Sequence, residues 1–215
     1  MEYTIEQTDG DVVLAGDDSE APWALAPAAE IDRYPWVTGT TRQGATVRAL
    51  YDETALYLQY RVEDEHSVAE TTTLNGPVYE DSAVEFFARP ALDRPEYVNF
   101  EVNCVGTFLL EWGPNRTERT AVSPTLADEI RVETSIDGPT KSPSPDDDWW
   151  RLVATLPFET LSKFTGTEVS PMAGTVWEGN FQRLGGGSEF AVWNPIDAPE
   201  PDFHRPESFG TISFT

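Results

Sequence analysis

Lysine is nearly missing from this 215-residue chain: Lys141 and Lys163 stand beside twelve arginines. Cys104 is the one cysteine, which excludes an intramolecular disulfide and a zinc site built on cysteine pairs. No stretch approaches the run of about 18 apolar residues that a membrane-spanning helix needs. Positive charge is scarce: 14 Lys and Arg face 38 Asp and Glu, for a net charge of −24. A surface of that sign repels phosphate backbones and anionic headgroups, so neither nucleic acid nor a membrane is an expected partner. Met1-Glu2-Tyr3-Thr4-Ile5-Glu6 has neither the basic nor the apolar stretch of a signal peptide. The expected location, if the chain is complete, is the cytoplasm.

Aromatic residues are plentiful, with seven Trp, seven Tyr and eleven Phe, enough for a packed core. Their spacing has period two. Val47, Ala49 and Tyr51 alternate with Thr46, Arg48 and Leu50, and 56–62 continues after the turn residues Asp52-Glu53-Thr54, which reads as a hairpin. Further strands are expected at 82–89, 97–104, 106–112, 129–136, 149–156, 175–183, 188–194 and 209–214. Turn residues punctuate most of them, among them Gly113-Pro114-Asn115 and Gly185-Gly186-Gly187. About ten short strands of this kind predict an all-β fold, an antiparallel β-sandwich or jelly roll. The spacing predicts one short helix, at Pro157–Phe164. Residues 1–20 read as an N-terminal segment, either an edge strand around Val12-Val13-Leu14 or loose chain, and 21–215 read as a single domain.

The common catalytic signatures are missing: Gly-x-Ser-x-Gly, a Walker loop and His-Glu-x-x-His. Among 38 acids, no spacing singles out a glycosidase pair. Three segments remain: Gly76–Phe87, Tyr97–Gly106, and Trp177–Arg183 leading into Val192-Trp193-Asn194-Pro195 and Pro201–Gly210. Alternation puts Glu85 with Phe87, Glu101 with Asn103, and Asn180 with Gln182 on common faces. Converging faces would line one surface with carboxylates and amides, groups that take adjacent sugar hydroxyls. Tyr79 and Trp193 would supply flat walls for the C–H face of a pyranose. The alternative from pattern alone is an internally satisfied polar network with Trp193 in the core.

Val-Tyr-Glu-Asp-Ser-Ala-Val-Glu-Phe-Phe at 78–87, Asn-Phe-Glu-Val-Asn-Cys-Val-Gly at 99–106 and Pro-Asp-Phe-His-Arg-Pro-Glu-Ser-Phe-Gly at 201–210 resemble family 9 carbohydrate-binding modules and their DOMON-like relatives, from about Ala21 to Thr215. The resemblance implies a non-catalytic β-sandwich that holds a mono- or oligosaccharide between two rings, matched here by Tyr79 and Trp193. It matches the polar contacts to Glu85, Asn103 and Gln182. Tyr79 stands where sugar binders usually carry Trp, and Glu101 where they carry Arg, a change that turns donors into acceptors. Arg183 is a candidate replacement donor. Asp64, with Asp81 nearby, falls where relatives bind structural calcium, a hard cation that takes several oxygen ligands. A glycoside hydrolase and a haem-binding DOMON-type domain remain as alternatives.

Two expectations carry experiments. If alternation frees Trp193 as a ligand platform, Trp193→Ala leaves stability nearly unchanged. The many carboxylates and few lysines resemble proteins of halophiles, whose self-repulsion salt screens. The unfolding midpoint is therefore expected to climb with KCl concentration, and greatest stability in dilute buffer would overturn that reading.

Overall fold

The period-two pattern is realised as strands throughout a computed structural model that describes residues 1–9, 12, 21–37, 42–142, 144, 146–185 and 189–215. Among these residues the strands are β1 (Glu2–Gln7), β2 (Ala28–Ile31), β3 (Ala45–Tyr51), β4 (Ala55–Glu63), β5 (Ala83–Arg89), β6 (Tyr97–Asn103), β7 (Phe108–Gly113), β8 (Thr120–Ala121), β9 (Arg131–Thr134), β10 (Trp149–Pro157), β11 (Val176–Gly185), β12 (Glu189–Val192) and β13 (Gly210–Phe214). The β3–β4 hairpin turns on Asp52. Its Oδ1 accepts the backbone N–H groups of Thr54 and Ala55 at 2.6 and 2.8 Å, which fixes the turn locally.

The strands follow one path, β8-β7-β6-β5-β11-β13-β1-β3-β4-β10-β9, with β12 added beside β11 and β2 beside β3. This path folds over at β1, so its halves stack as a sandwich around a shared apolar core. Most pairings are antiparallel, but β1 runs parallel to β13 through Glu2–Ile5 and to β3 through Glu6–Gln7. The N-terminal strand thus sits at Glu2–Gln7, between two neighbours, rather than at an edge around Val12; Val13 and Leu14 lie outside the described residues. Tyr3 and Ile5 are buried because β1 joins both halves of the sandwich. The expected Gly185-Gly186-Gly187 turn falls partly outside the described residues, with Gly185 paired to Glu189 across β11 and β12.

Two α-helices are present among the described residues. The short α1 (Pro124–Ala127) has Ser123 at its N-cap. The expected helix is α2 (Phe158–Thr165), with Pro157 before it and Gly166 after it at φ 63°, the left-handed conformation in which glycine avoids a Cβ clash. Its buried Phe158 and Leu161 join the core.

Phe181 of β11 centres that core. Phe86 stacks on it at 5.1 Å between ring centroids, and Tyr3 and Trp193 meet it edge-on at 5.5 and 5.6 Å. Trp193 is therefore a core residue, only 2% exposed, which corrects its expected role as a free platform. Alternation does place it with Ala191 and against Phe190 and Val192. Both sides of β12 are covered, however. Ala191 and Trp193 face the inter-sheet core, while Phe190 and Val192 face a second apolar cluster with Ile196 and Phe203 from the C-terminal loop. The Trp193 ring also packs so closely over Gly210 that a Cβ there would lie 2.6 Å from it.

Trp193→Ala should accordingly cost about 3–5 kcal/mol of unfolding free energy, the range for emptying a buried aromatic site. Equilibrium denaturation of this variant checks the assignment, and a loss under about 1 kcal/mol would contradict it.

Candidate functional site

The outward face of β5, β6, β7 and β11 carries the residues opposite those of the core in the strand alternation. Part of this face lies beneath the C-terminal loop. Asn194 anchors the start of that loop: its N–H donates to Asn180 Oδ1 at 2.8 Å, and Asn180 Nδ2 donates back to Asn194 O at 3.0 Å. Trp36 Nε1 donates to Ala198 O at 2.8 Å, and Tyr97 Oη and His204 Nδ1 share a hydrogen bond of 2.8 Å. The loop is thereby fixed at three places along its length.

The uncovered remainder of this face forms a cavity of about 770 Å³. Its polar floor includes Glu85, Asn99 and Glu101, and its walls include Tyr79, Phe190 and Phe203. Phe203 meets Phe190 edge-on at 5.8 Å, while Tyr79, half exposed, projects from the 3-10 turn Val78–Glu80. The arrangement offers flat apolar surface beside concentrated hydrogen-bond acceptors.

Glu85 and Glu101 are directly opposed across β5 and β6, and both are buried, 3% and 4% exposed. Glu101 Oε1 accepts from Asn99 Nδ2 at 2.9 Å. Oε2 of each glutamate and Oδ1 of Asn99 are buried without a hydrogen-bond partner. Burial raises both acids, and the neighbouring Glu101 charge raises Glu85 further, well above the ordinary carboxylate range. Glu101 is pushed up to about 7, with burial the main cause, the Asn99 hydrogen bond opposing it and Glu111 reinforcing it. His204 moves the other way, down to about 4, because burial and then Arg119 and Arg116 disfavour the imidazolium.

Of the expected sugar contacts, Tyr79, Glu85 and Glu101 line the cavity. Asn103 and Gln182 share its sheet face but are fully buried and do not line it. Asn103 Nδ2 donates to Asp81 Oδ2 at 2.8 Å and to Thr71 O at 2.9 Å. Asp81 also accepts the N–H groups of Glu70 and Thr71. These bonds tie down the segment that carries Tyr79. Gln182, with its amide oriented to satisfy both ends, donates to Glu85 O at 3.3 Å and Asn180 O at 3.2 Å.

Arg183 does not replace the missing donor. It follows Gln182 in β11, so alternation turns it to the other face, where it is fully buried. There it pairs with Asp64 at 3.5 Å and Glu189 at 3.2 Å and donates to Gln43 Oε1 at 3.3 Å. Trp193, in the core, lies outside the cavity as well.

Asp64 accepts from Trp150 Nε1 at 3.1 Å and from the His66 N–H at 3.1 Å. Asp64 and Asp81 thus spend their oxygens on N–H donors, and Arg183 already supplies positive charge to Asp64. Calcium surrounds itself with oxygens, so this donor set does not fit it as placed. Among the described residues no group of three or more His, Cys, Asp or Glu is arranged to hold a metal ion.

Sequence reasoning missed Asn99, Glu111, Phe190, Phe203 and His204 as cavity residues. Asn99 was accessible from its place two residues before Glu101. The C-terminal residues were not, because the loop path brings them over the sheet.

The sequence matches the family model described as Carbohydrate-binding family 9 over residues 23–214. No curated protein matches it. A "putative carbohydrate-binding protein" from Bacteroides uniformis ATCC 8492 has a similar structure, with TM-score 0.86, 25% identity, and coverage of 100% of this chain and 99% of that one. Two structures of a carbohydrate-binding module family 9 from Caldicellulosiruptor kristjanssonii share the fold at TM-score 0.65. The glucose complex is 16% identical and covers 100% of this chain and 96% of that one. The cellotriose complex is 17% identical, with 100% and 93%.

The raised Glu101 predicts a pH effect. Its folded-state value lies near 7 against an ordinary 4.5, so the folded protein holds a proton that the unfolded chain releases. Its contribution is present below about 4.5 and lost as pH rises through about 7. His204 has the opposite slope, losing stability as pH falls from 6.5 through about 4. Glu101→Gln should therefore gain stability relative to the native chain between about pH 4.5 and 7. Denaturation at several pH values checks the difference, and parallel native and variant curves would contradict it.

Proposed function

The chain belongs to carbohydrate-binding family 9, and from that membership we propose that the cavity over β5, β6 and β7 is its sugar site. The protein acts as a non-catalytic carbohydrate-binding module. The observation that carries the placement is the combination of buried, unpartnered acceptors with aromatic walls around about 770 Å³. That is room for a short saccharide. Its hydroxyls would donate to Glu85, Glu101 and Asn99, while a C–H face lies against Tyr79, Phe190 or Phe203. The complexes of the related module with glucose and cellotriose support gluco-configured sugars as first probes.

Hydrolysis is less well supported. A glycosidase separates its two carboxylates by role, one kept protonated and the other ionised. Glu85 and Glu101 are instead both buried, directly opposed and shifted in the same direction. Such a pair shares its proton side by side on one floor and does not set an acid and a base on the two sides of a scissile bond.

Calorimetric titration with glucose and cellotriose, with product analysis of the same samples, tests the reading. Binding without cleavage is expected. Tyr79→Ala should weaken binding by about 1–3 kcal/mol, the scale of stacking against a flat ligand. Its melting temperature should hardly change, because the Tyr79 side chain is 50% exposed. Unaltered affinity in Tyr79→Ala would remove this residue from the site.

A further inference from the structure

The floor of the cavity asks for more donors than a sugar hydroxyl carries. Glu85 Oε2, Glu101 Oε2 and Asn99 Oδ1 are all unpartnered acceptors, on side chains 3%, 4% and 1% exposed. Apart from Arg116 at the rim, the residues facing them add negative charge or neutral groups. Glu111 comes from β7, Glu80 from the Tyr79 segment, and Asp202 with the neutral His204 from the C-terminal loop. Of the nearby cations, Arg119 is committed elsewhere, while the charge of the more exposed Arg116 offsets the two glutamates only in part. Arg119 pairs with Glu111 at 3.3 Å, lies over Tyr97 at 4.5 Å, and donates to the carbonyls of Gly113 and Tyr97. Arg116 is two-thirds exposed and reaches Asp202 at 3.7 Å.

We propose that this cavity selects an amino sugar, a pyranose whose primary ammonium sits between Glu85 and Glu101. The inference rests on the cavity being the sugar site. An ammonium has three donors and a positive charge, against one donor and no charge for a hydroxyl. Three donors match the three open acceptors, and charge-assisted hydrogen bonds are the stronger kind. In the empty cavity the two acids avoid facing ionised carboxylates by keeping a proton. The ammonium takes over that neutralising task, so binding expels the proton to buffer. A neutral sugar leaves the proton in place.

The native protein is titrated at about pH 5.5, where the amines are already ammonium and Glu101 still holds its proton, with the β-1,4-linked glucosamine trimer and with cellotriose, in about 1 M KCl, where exposed charges are screened within about 3 Å. The glucosamine trimer is expected to bind at least about tenfold more tightly, a margin within reach of one buried charge pair. Repeating the titration in buffers of different ionisation enthalpy should reveal proton release with the amino trimer and none with cellotriose. Glu101→Gln should bring the two affinities to about the same value. Should that variant fold poorly, the native affinity ratio and proton release decide alone. Cellotriose binding as tightly as the amino trimer, or amino-trimer binding without proton release, overturns the amino-sugar inference and leaves the sugar site standing. If neither trimer binds, both fail.

Discussion

The strands β5, β6 and β11 are enclosed on both sides, and this double enclosure governs the placement of every polar group near the cavity. One side faces the second half of the sandwich and the other faces the C-terminal loop or the cavity floor. Polar side chains on such strands have little water to turn to and must find protein partners or remain costly. Asn180 pairs reciprocally with Asn194, and Asn103 clamps Asp81 and Thr71. Arg183, on the inner side, is surrounded by Asp64, Glu189 and Gln43. Glu85, Glu101 and Asn99 stand apart because each keeps an acceptor unpartnered. Among the described residues, the buried side-chain acceptors left without a partner thus fall together on one floor.

Much of the sandwich was legible in the sequence because period two is a local property. The hairpin at 46–62, the strands through 82–113 and the helix after Pro157 all appear close to where alternation and turn residues put them. The β1 strand was harder to read, since its pairing with β13 and β3 depends on chain segments far away. The short β2 and β8 carry too few residues for a period to emerge.

The candidate site was legible in its acids and in Tyr79, and not in its other walls. Alternation correctly put Glu85 and Glu101 on one face, and the family resemblance singled out Tyr79. It failed at Trp193 and Arg183 for related reasons. A strand exposed on one side tells the two sides apart by polarity, but β12 has apolar residues on both. Arg183 reads as a surface or ligand donor until Asp64, more than a hundred residues earlier, is brought beside it. Burial of an arginine becomes tolerable only with that partner in place.

The junction at β1 has a further consequence in time. The two halves of the sandwich are joined along their strand path by β1, which reaches the first half through β13. The register pairs Glu2 with Thr211 and Ile5 with Phe214. A chain emerging from the ribosome can form the β3–β4 hairpin early, yet β1 must wait for β13 until Gly210–Phe214 have been made. Closure of the halves is thus a late event built on contacts of long sequence separation, the kind that slows folding. During that interval Tyr3 and Ile5, buried in the finished protein, remain accessible to a chaperone or to another nascent chain.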